Sequence, residues 1–436
     1  MERGRFIETR RGQASLLTKR QKSRFYFNID QNPQSKHIQA ADAVAFQKGL
    51  LAQMTRMKKS TYRSPLFLQM TFVNGSKTPP SIYKLPKNYL DLLETPRADA
   101  GIPRSHLLYA NDRLVKGLVV RYRLGSSIGR PHIQVRAEPL RNFIADIDLV
   151  RRVQANDFQE EFGRWSIPHD EGRHREGPFQ GEDEWDDDRF ERFADLERDR
   201  DSWVRVVGQD GFEAHRLLTR SQVQQQHLRH TDLITCRGLL WLFSERLRQQ
   251  DAPNAGLLAR LVEGFRDMML SPPFVMDLHH APQRNGDTTA FKQAVKVALE
   301  EYKRDHRMLF PLSALLNVTI LMVPPIGGGK DLDNLAHLIL PAVHDILQPP
   351  SNILRLLDVG SVRDKSLRGQ WEAARAALPN EPKHSITQYR AFELPRFPGD
   401  PEEGFVRLAV GDGFTPVQFR EEIDDFLAGW QRCLPR

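Results

Sequence analysis

The sequence has few cysteines and no long apolar segment. Only Cys236 and Cys433 occur among the 436 residues, which excludes a disulfide framework and a cysteine-based zinc site and favours a reducing compartment. No stretch approaches the roughly 18 consecutive apolar residues of a transmembrane helix. The first residues are charged, unlike those of a secretory signal. We therefore expect a cytoplasmic protein that does not cross a membrane.

Acidic residues are scarce over most of the chain. The protein has 63 Lys and Arg against 56 Asp and Glu, a net charge of +7. Residues 157–201 hold 17 of the acidic residues and only 7 of the basic ones, so the remainder is strongly basic. Such a charge is typical of proteins that bind a polyanion such as nucleic acid. A scattered positive surface without a polyanion partner is the alternative, and composition does not decide between them.

The chain repeats one order of predicted elements. Each copy reads as a strand ending at a proline, a helix opened by Ala-Phe, a second strand, a Pro-Pro pair, an amphipathic helix and two further strands. In the first copy these elements fall at residues 25–33, 45–54, 64–72, 79–80, 82–93, 115–122 and 132–136. In the second copy they fall at 274–282, 290–299, 317–323, 324–325, 333–347, 386–392 and 405–410. We therefore predict an α+β fold with two tandem β-α-β-α-β-β units.

The repeat also predicts the domain organisation. The segments are a basic N-terminal arm, the first unit, an acidic and helical insert, the second unit and a C-terminal helix, at residues 1–24, 25–150, 151–270, 271–412 and 413–436. The insert combines the acidic stretch, which has few aliphatic residues to bury, with amphipathic helices at 233–248 and 255–270. We interpret the arm as a loose basic tail in preference to a phosphate-binding element.

The most informative motif is Asp331-Leu332-Asp333-Asn334, which follows a run of glycines. It is not a P-loop, because Pro324 stands where that pattern needs a glycine and Asp331 where it needs Ser or Thr. In an extended segment the two carboxylates would point to one side and Leu332 into the core. Paired carboxylates suit Mg²⁺, which usually has one or two of them among its ligands. A capped helix start is the alternative interpretation.

This motif, placed between a strand ending in Pro-Pro and an amphipathic helix, resembles that of the RusA-type Holliday-junction resolvases. Their signature is Asp-Leu-Asp-Asn-Leu-x-Lys leading into a helix, with an Asp-Asp pair before the next strand. The resemblance covers both copies, roughly 250 of the 436 residues. It implies a dimeric, Mg²⁺-dependent DNA endonuclease with three carboxylates and a lysine in its site.

The second copy departs from the family pattern at two positions. His337 stands where the family has its lysine, and it would replace that lysine only if protonated. The last family carboxylate falls near Lys383, with only Glu381 close by. Pro341 also interrupts the predicted helix, where we expect a kink or a restart.

The first copy shows the opposite pattern. Ser81 and Tyr83 replace the Asp pair, yet Lys87 stands at the lysine position and Asp112 at the last carboxylate. The two copies therefore resemble a resolvase dimer fused into one chain, with the site residues divided between them. A composite site, a degenerate site within the second copy, and no active site at all remain open.

The resemblance leads to two functional hypotheses. The first is a structure-selective DNA endonuclease acting in recombination or repair, with Mg²⁺, or alternatively Mn²⁺, held by Asp331 and Asp333. Its catalytic set would add Asp112, Lys87 and His337, and its substrate would be branched DNA such as a four-way junction. The second is a catalytically degenerate DNA-binding protein or a scaffold subunit of a larger phage or defence complex. Either would be a monomeric pseudo-dimer or a homodimer.

Overall fold

The computed structural model describes residues 6, 8–35, 38–76, 79–124, 130–154, 194–231, 275–306, 310–348, 382–413 and 419–433. The two helices expected at 233–248 and 255–270, and most of the acidic stretch, lie outside these residues. No helix within the described segments has both the length and the apolar character needed to cross a bilayer.

One eight-stranded mixed sheet runs through the protein. Its strands are β1 (Phe25–Ile29), β2 (Leu66–Asn74), β3 (Val115–Leu124), β4 (His132–Pro139), β5 (Val275–Leu278), β6 (Leu316–Val323), β7 (Ile386–Glu393) and β8 (Phe405–Asp412). Their order across the sheet is β1-β4-β2-β3-β7-β6-β8-β5. Parallel and antiparallel neighbours are combined with helices on the sheet, so the predicted α+β class is confirmed at this level.

The two halves of the sheet have the same topology. In the first half β1 is antiparallel to β4, β4 is antiparallel to β2, and β2 is parallel to β3. In the second half β5, β8, β6 and β7 repeat these relations in the same order. Antiparallel pairing of β3 with β7, with Val120 opposite Tyr389, joins the halves. Two like halves joined in this way are related by an approximate twofold axis through the central strand pair.

Eight helices flank the described sheet. They are α1 (Arg10–Ser23), α2 (Ala40–Arg56), α3 (Pro86–Glu94), α4 (Leu140–Gln154), α5 (Arg200–Thr231), α6 (Thr289–Asp305), α7 (Leu332–Leu347) and α8 (Phe419–Arg432). Gly208 interrupts α5 with a non-helical φ of 81°. Short 3₁₀ turns at Ile82–Lys84, Asp112–Leu114 and Pro382–His384 precede α3, β3 and β7.

Apolar side chains bury both faces of the sheet. One core contains Phe46 of α2 and Leu335 of α7 together with Leu68 of β2. The other contains Phe143 of α4 together with Phe67 of β2. Adjacent residues of one strand therefore serve opposite cores, which accounts for the largely apolar sequences of β2 and β6.

A network of buried charges lies on the second face. The Asp146 carboxylate accepts hydrogen bonds from Arg20 at 2.6 Å, Arg24 at 2.8 Å and Arg420 at 2.6 Å. Burial alone would raise the pKa of Asp146, but the charges of these arginines outweigh it and lower that pKa. Since Arg20 belongs to α1, Asp146 to α4 and Arg420 to α8, the network fastens these three helices to one another.

Three local features differ from the sequence-based expectations. Most of the basic arm is helical rather than a loose tail, because α1 buries Leu17 and pairs Arg20 with Asp146. Helix α4 was not predicted. Helix α7 continues through Pro341, so it does not restart there, and the alternative of a kink stays a prediction. Proline has no backbone N–H, so the carbonyl of His337, four residues earlier, receives no helical hydrogen bond. His337 is an exposed residue.

Candidate active site at the junction of the two half-sheets

The sheet topology brings one loop from each half to the same edge. β3 begins where the parallel strands β6 and β7 end, because β3 is antiparallel to β7. The Lys116–Glu393 ion pair, 2.5 Å long, lies at this edge, joining the start of β3 to the end of β7. The residues before β3 in the first half therefore face the residues after β6 in the second half.

The start of β7 lies at the opposite edge of the sheet. The chain reaches it through α7, whose 16 residues span about 24 Å at 1.5 Å per residue. Lys383, in the turn before β7, is therefore remote from Asp331 at the start of α7. This topology disfavours a site built from the second copy alone. Glu381, the other residue considered for such a site, lies outside the described residues.

The Asp pair lies at the start of a helix and not in an extended segment as expected. Asp331 is the N-cap of α7, and Leu332 and Asp333 belong to its first turn. Leu332 is buried, as predicted. The Asp331 carboxylate makes no capping hydrogen bond, while the backbone N–H of Asn334 lowers the pKa of Asp333. A capping hydrogen bond therefore does not account for Asp331.

The first half contributes Lys87 and Asp112 to the same place. Lys87, in the first turn of α3, donates a hydrogen bond from Nζ to Oδ1 of Asn334 across 3.3 Å. Asp112 lies in the 3₁₀ turn that precedes β3. Burial raises the pKa of Asp112, and the negative charge of Asp331 raises it further. The structure thus brings together the residues that the composite arrangement requires.

Asp333 has a strongly perturbed environment. Burial disfavours its charged form and raises its pKa to about 6. The charges of Asp331 and Asp112 raise this pKa further, while the Asn334 N–H and the positive charge of Lys87 lower it. The carboxylates of the two halves repel one another, and a cation bound between them would relieve that repulsion.

Two further carboxylates, Asp91 and Glu94 of α3, were missed by the sequence analysis. Burial raises the pKa of each, and the nearby charge of Asp112 raises both further. Asp91 follows Lys87 by four residues and Glu94 follows Asp91 by three. These spacings place side chains on one helix face, so the sequence contained the signal for an acidic strip beside the lysine.

Two buried tyrosines lie near the acidic residues. Tyr109 donates its hydroxyl hydrogen to the carbonyl oxygen of Leu90 at 2.8 Å. Tyr389 lies in the central strand pair. Burial raises the pKa of both hydroxyls well above the usual value, and the charge of Asp333 adds to the rise in each case. Both side chains are therefore neutral at physiological pH and provide uncharged surroundings for Asp333.

His337 does not replace the lysine electrostatically. Its ring lies 5.5 Å from that of Tyr83, measured between centroids. Partial burial of the imidazole lowers its pKa, and the positive charges of Lys87, Lys84 and Lys292 lower it further. Since only a protonated histidine could supply the charge of a lysine, the structure argues against that role. Lys87 supplies the positive charge beside the Asp pair instead.

The ligand atoms available at the candidate site limit the kind of cation that it could hold. The carboxylate oxygens of Asp331 and Asp333 are the hard ligands that Mg²⁺ and Mn²⁺ prefer. In the part of the chain that the structure describes, no group of three or more His, Cys, Asp or Glu side chains is arranged to hold a metal ion. The residues therefore fit a cation held by two carboxylates and completed by water and phosphate oxygens, but not one enclosed by protein ligands alone.

The candidate site is thus a partly exposed acidic cluster that includes Lys87, assembled from both halves of a continuous sheet. Asp331 and Asp333 come from the second half, and Lys87, Asp112, Asp91 and Glu94 from the first. Comparisons of the chain with protein-family models, curated proteins and solved structures found no match.

Proposed function

We propose that this protein is a divalent-cation-dependent DNA endonuclease whose single chain forms a pseudo-dimer of two RusA-like units. The cluster of Asp331, Asp333, Lys87 and Asp112 would be its active site. The observation that carries the proposal is the 3.3 Å hydrogen bond from Lys87 to Asn334, which bridges the two halves at the start of α7. It places the lysine found only in the first copy beside the Asp pair found only in the second.

The charge distribution supports a nucleic-acid substrate. Outside residues 157–201 the chain has a large excess of Lys and Arg over Asp and Glu. A basic surface binds the phosphate backbone, with an affinity that falls as salt rises. The acidic cluster alone would repel phosphate. A basic surface around it and a cation bound to it are therefore both needed for a scissile phosphate to approach.

Each residue of this cluster has a chemical role in the proposal. Asp331 and Asp333 would hold Mg²⁺, or alternatively Mn²⁺. When bound, such a cation polarises a phosphodiester and makes water a better nucleophile. Lys87 Nζ stabilises negative charge on a phosphate oxygen. Asp112 accepts a hydrogen bond from a water molecule and so orients it toward phosphorus.

The test is incision of a synthetic four-way DNA junction, the substrate class that the family resemblance suggests. Wild type would be compared with Asp331→Asn and with the matched control Asp277→Asn. Asp277 belongs to the edge strand β5, where its carboxylate pairs with Arg407 at 3.1 Å. We expect cation-dependent incision by wild type and Asp277→Asn, and none by Asp331→Asn. Incision by Asp331→Asn at the wild-type rate would show that the assigned site is wrong.

One observation favours a second candidate function. A donor set of two carboxylates holds Mg²⁺ weakly, and no larger set occurs among the described residues. A DNA-binding protein without catalytic activity would bind the junction equally well in wild type and Asp331→Asn, lose affinity with salt, and cut under neither cation. If the protein neither binds nor cuts the junction, the scaffold hypothesis remains.

A further inference from the structure

The approximate twofold symmetry of the sheet creates a second junction, formed by residues 79–85 of the first half and 382–385 of the second. β2 is parallel to β3, and β3 is antiparallel to β7, so β2 ends at the edge where β7 begins. The segment after β2 therefore meets the turn before β7. The same relation brings Asp331 and Asp333 close to Asp112 at the first junction.

The side chains at the second junction have a different chemistry. Ser81 and Tyr83 occupy the positions that correspond to Asp331 and Asp333. Pro382 and Lys383 precede β7 where Asn111 and Asp112 precede β3. Residues 79–85 and 382–385 include no Asp or Glu; Glu381 precedes the described part of the turn.

Hydrogen bonds and ring contacts close the second junction. His384 Nε2 lies 2.9 Å from the carbonyl oxygen of Pro79, and so bridges the halves. His344 Nδ1 lies 2.9 Å from Oγ of Ser385. The ring of Tyr83 packs against that of His344, with 5.7 Å between centroids. Two of these contacts, His384–Pro79 and Tyr83–His344, join the two halves.

The two junctions differ only in part in the burial of their residues. Ser81 and His344 are each 4% exposed, and His384 is 6% exposed. At the first junction Asp112, Asp331 and Asp333 are all partly exposed. At the second junction Tyr83 is also partly exposed and Lys383 is exposed, so the two junctions are distinguished by the chemistry of their side chains more than by burial.

We infer that the protein has one incision site and introduces a single nick per binding event, with the second junction, whose described residues include no carboxylate, serving as a structural contact between the halves. This inference rests on the proposed endonuclease function. Its substrate is a DNA duplex or branch in which one strand is cut while the symmetry-related strand stays intact. Incision adds one water to one phosphodiester: the water oxygen bonds to phosphorus, one P–O ester bond breaks, and a water proton passes to the departing oxygen.

The test uses a supercoiled plasmid with an extruded inverted repeat, which displays a four-way junction. Protein would be limiting over plasmid, and competitor junction would be added with Mg²⁺ so that each complex reacts once. We expect all converted plasmid to become nicked circle, with linear DNA absent. Tyr83→Phe keeps the ring contacts of the second junction and should give the same product at the same rate. Asp331→Asn should leave the plasmid supercoiled.

The outcomes separate this inference from the proposal beneath it. Linear DNA formed directly from supercoiled plasmid by wild type, and lost in Asp331→Asn, would overturn the single-site inference while supporting the endonuclease. Plasmid left supercoiled by wild type under both Mg²⁺ and Mn²⁺ would overturn both. Nicked circle as the sole product of wild type and Tyr83→Phe would support the single site.

Discussion

Replacing Asp333 by Asn should stabilise the protein while destroying the candidate site. The pKa of Asp333 is raised from the usual 3.8 to about 6, first by burial and then by Asp331 and Asp112. At about 1.4 kcal/mol for each tenfold change in the proton equilibrium, that rise corresponds to a penalty of up to about 3 kcal/mol for the charged form. Asparagine has nearly the same shape and carries no charge.

The sign and the pH range follow from linkage. Because the pKa is higher in the folded protein than in the unfolded chain, the folded protein binds more protons between about pH 4 and pH 6. The penalty of Asp333 is therefore absent below about pH 4 and complete above about pH 6. The stability gained by Asp333→Asn should follow the same course, rising from near zero to its full value as the pH increases.

The assay is urea unfolding of both proteins from pH 4 to pH 8 in EDTA, with Asp277→Asn as the control. The exposed Asp277–Arg407 pair should change the free energy of unfolding by less than about 1 kcal/mol. Mg²⁺ should stabilise wild type more than Asp333→Asn, since a ligand of the folded state raises stability by mass action. A loss of stability in Asp333→Asn at pH 8 would refute the electrostatic account of this site.

Three further predictions concern other parts of the protein. Lys87→Ala should abolish junction incision, whereas Lys84→Ala, which removes a neighbouring exposed lysine, should preserve it; single-turnover rates decide. Asp146→Asn should lower the free energy of unfolding by about 3–5 kcal/mol because it leaves buried arginines short of a partner; the stabilisation by Asp146 is lost as the pH falls below about 4, since its pKa is lowered. Gly404→Ala should destabilise the protein, because Gly404 has a φ of 64° and a Cβ there would collide with the backbone at the end of β6. Gly429→Ala in α8, where a Cβ meets nothing within 4 Å, should stabilise the protein by up to about 1 kcal/mol. Thermal unfolding compares the two variants.

Local patterns were sufficient to predict most of the strands and several helices. The strand predicted at 386–392 is β7, Ile386–Glu393, and the one predicted at 115–122 is β3, Val115–Leu124. Both segments combine β-branched, aromatic and other apolar residues, and that composition is visible in a short window. The repeated order of elements likewise corresponds to repeated topology in the two halves of the sheet.

The candidate site required information that no short window contains. Lys87 and Asn334 are 247 positions apart, and they meet only because β3 and β7 pair in antiparallel directions. Strand direction between distant elements depends on long-range packing and not on local propensity. The geometry of the Asp pair was also misjudged, because Asp331 and Asp333 follow an irregular loop whose glycines, Gly327 and Gly328, both have positive φ.

The covalent connection between the halves has a consequence for how their residues can diverge. In an assembly of two identical chains, every substitution appears twice, so loss of the lysine or of the Asp pair would affect both sites. In this chain Lys87 and Asp331 are encoded once each, and the β3–β7 pairing keeps their halves together at any dilution. The protein therefore divides its candidate site as a heterodimer would, with a one-to-one ratio fixed by the chain itself.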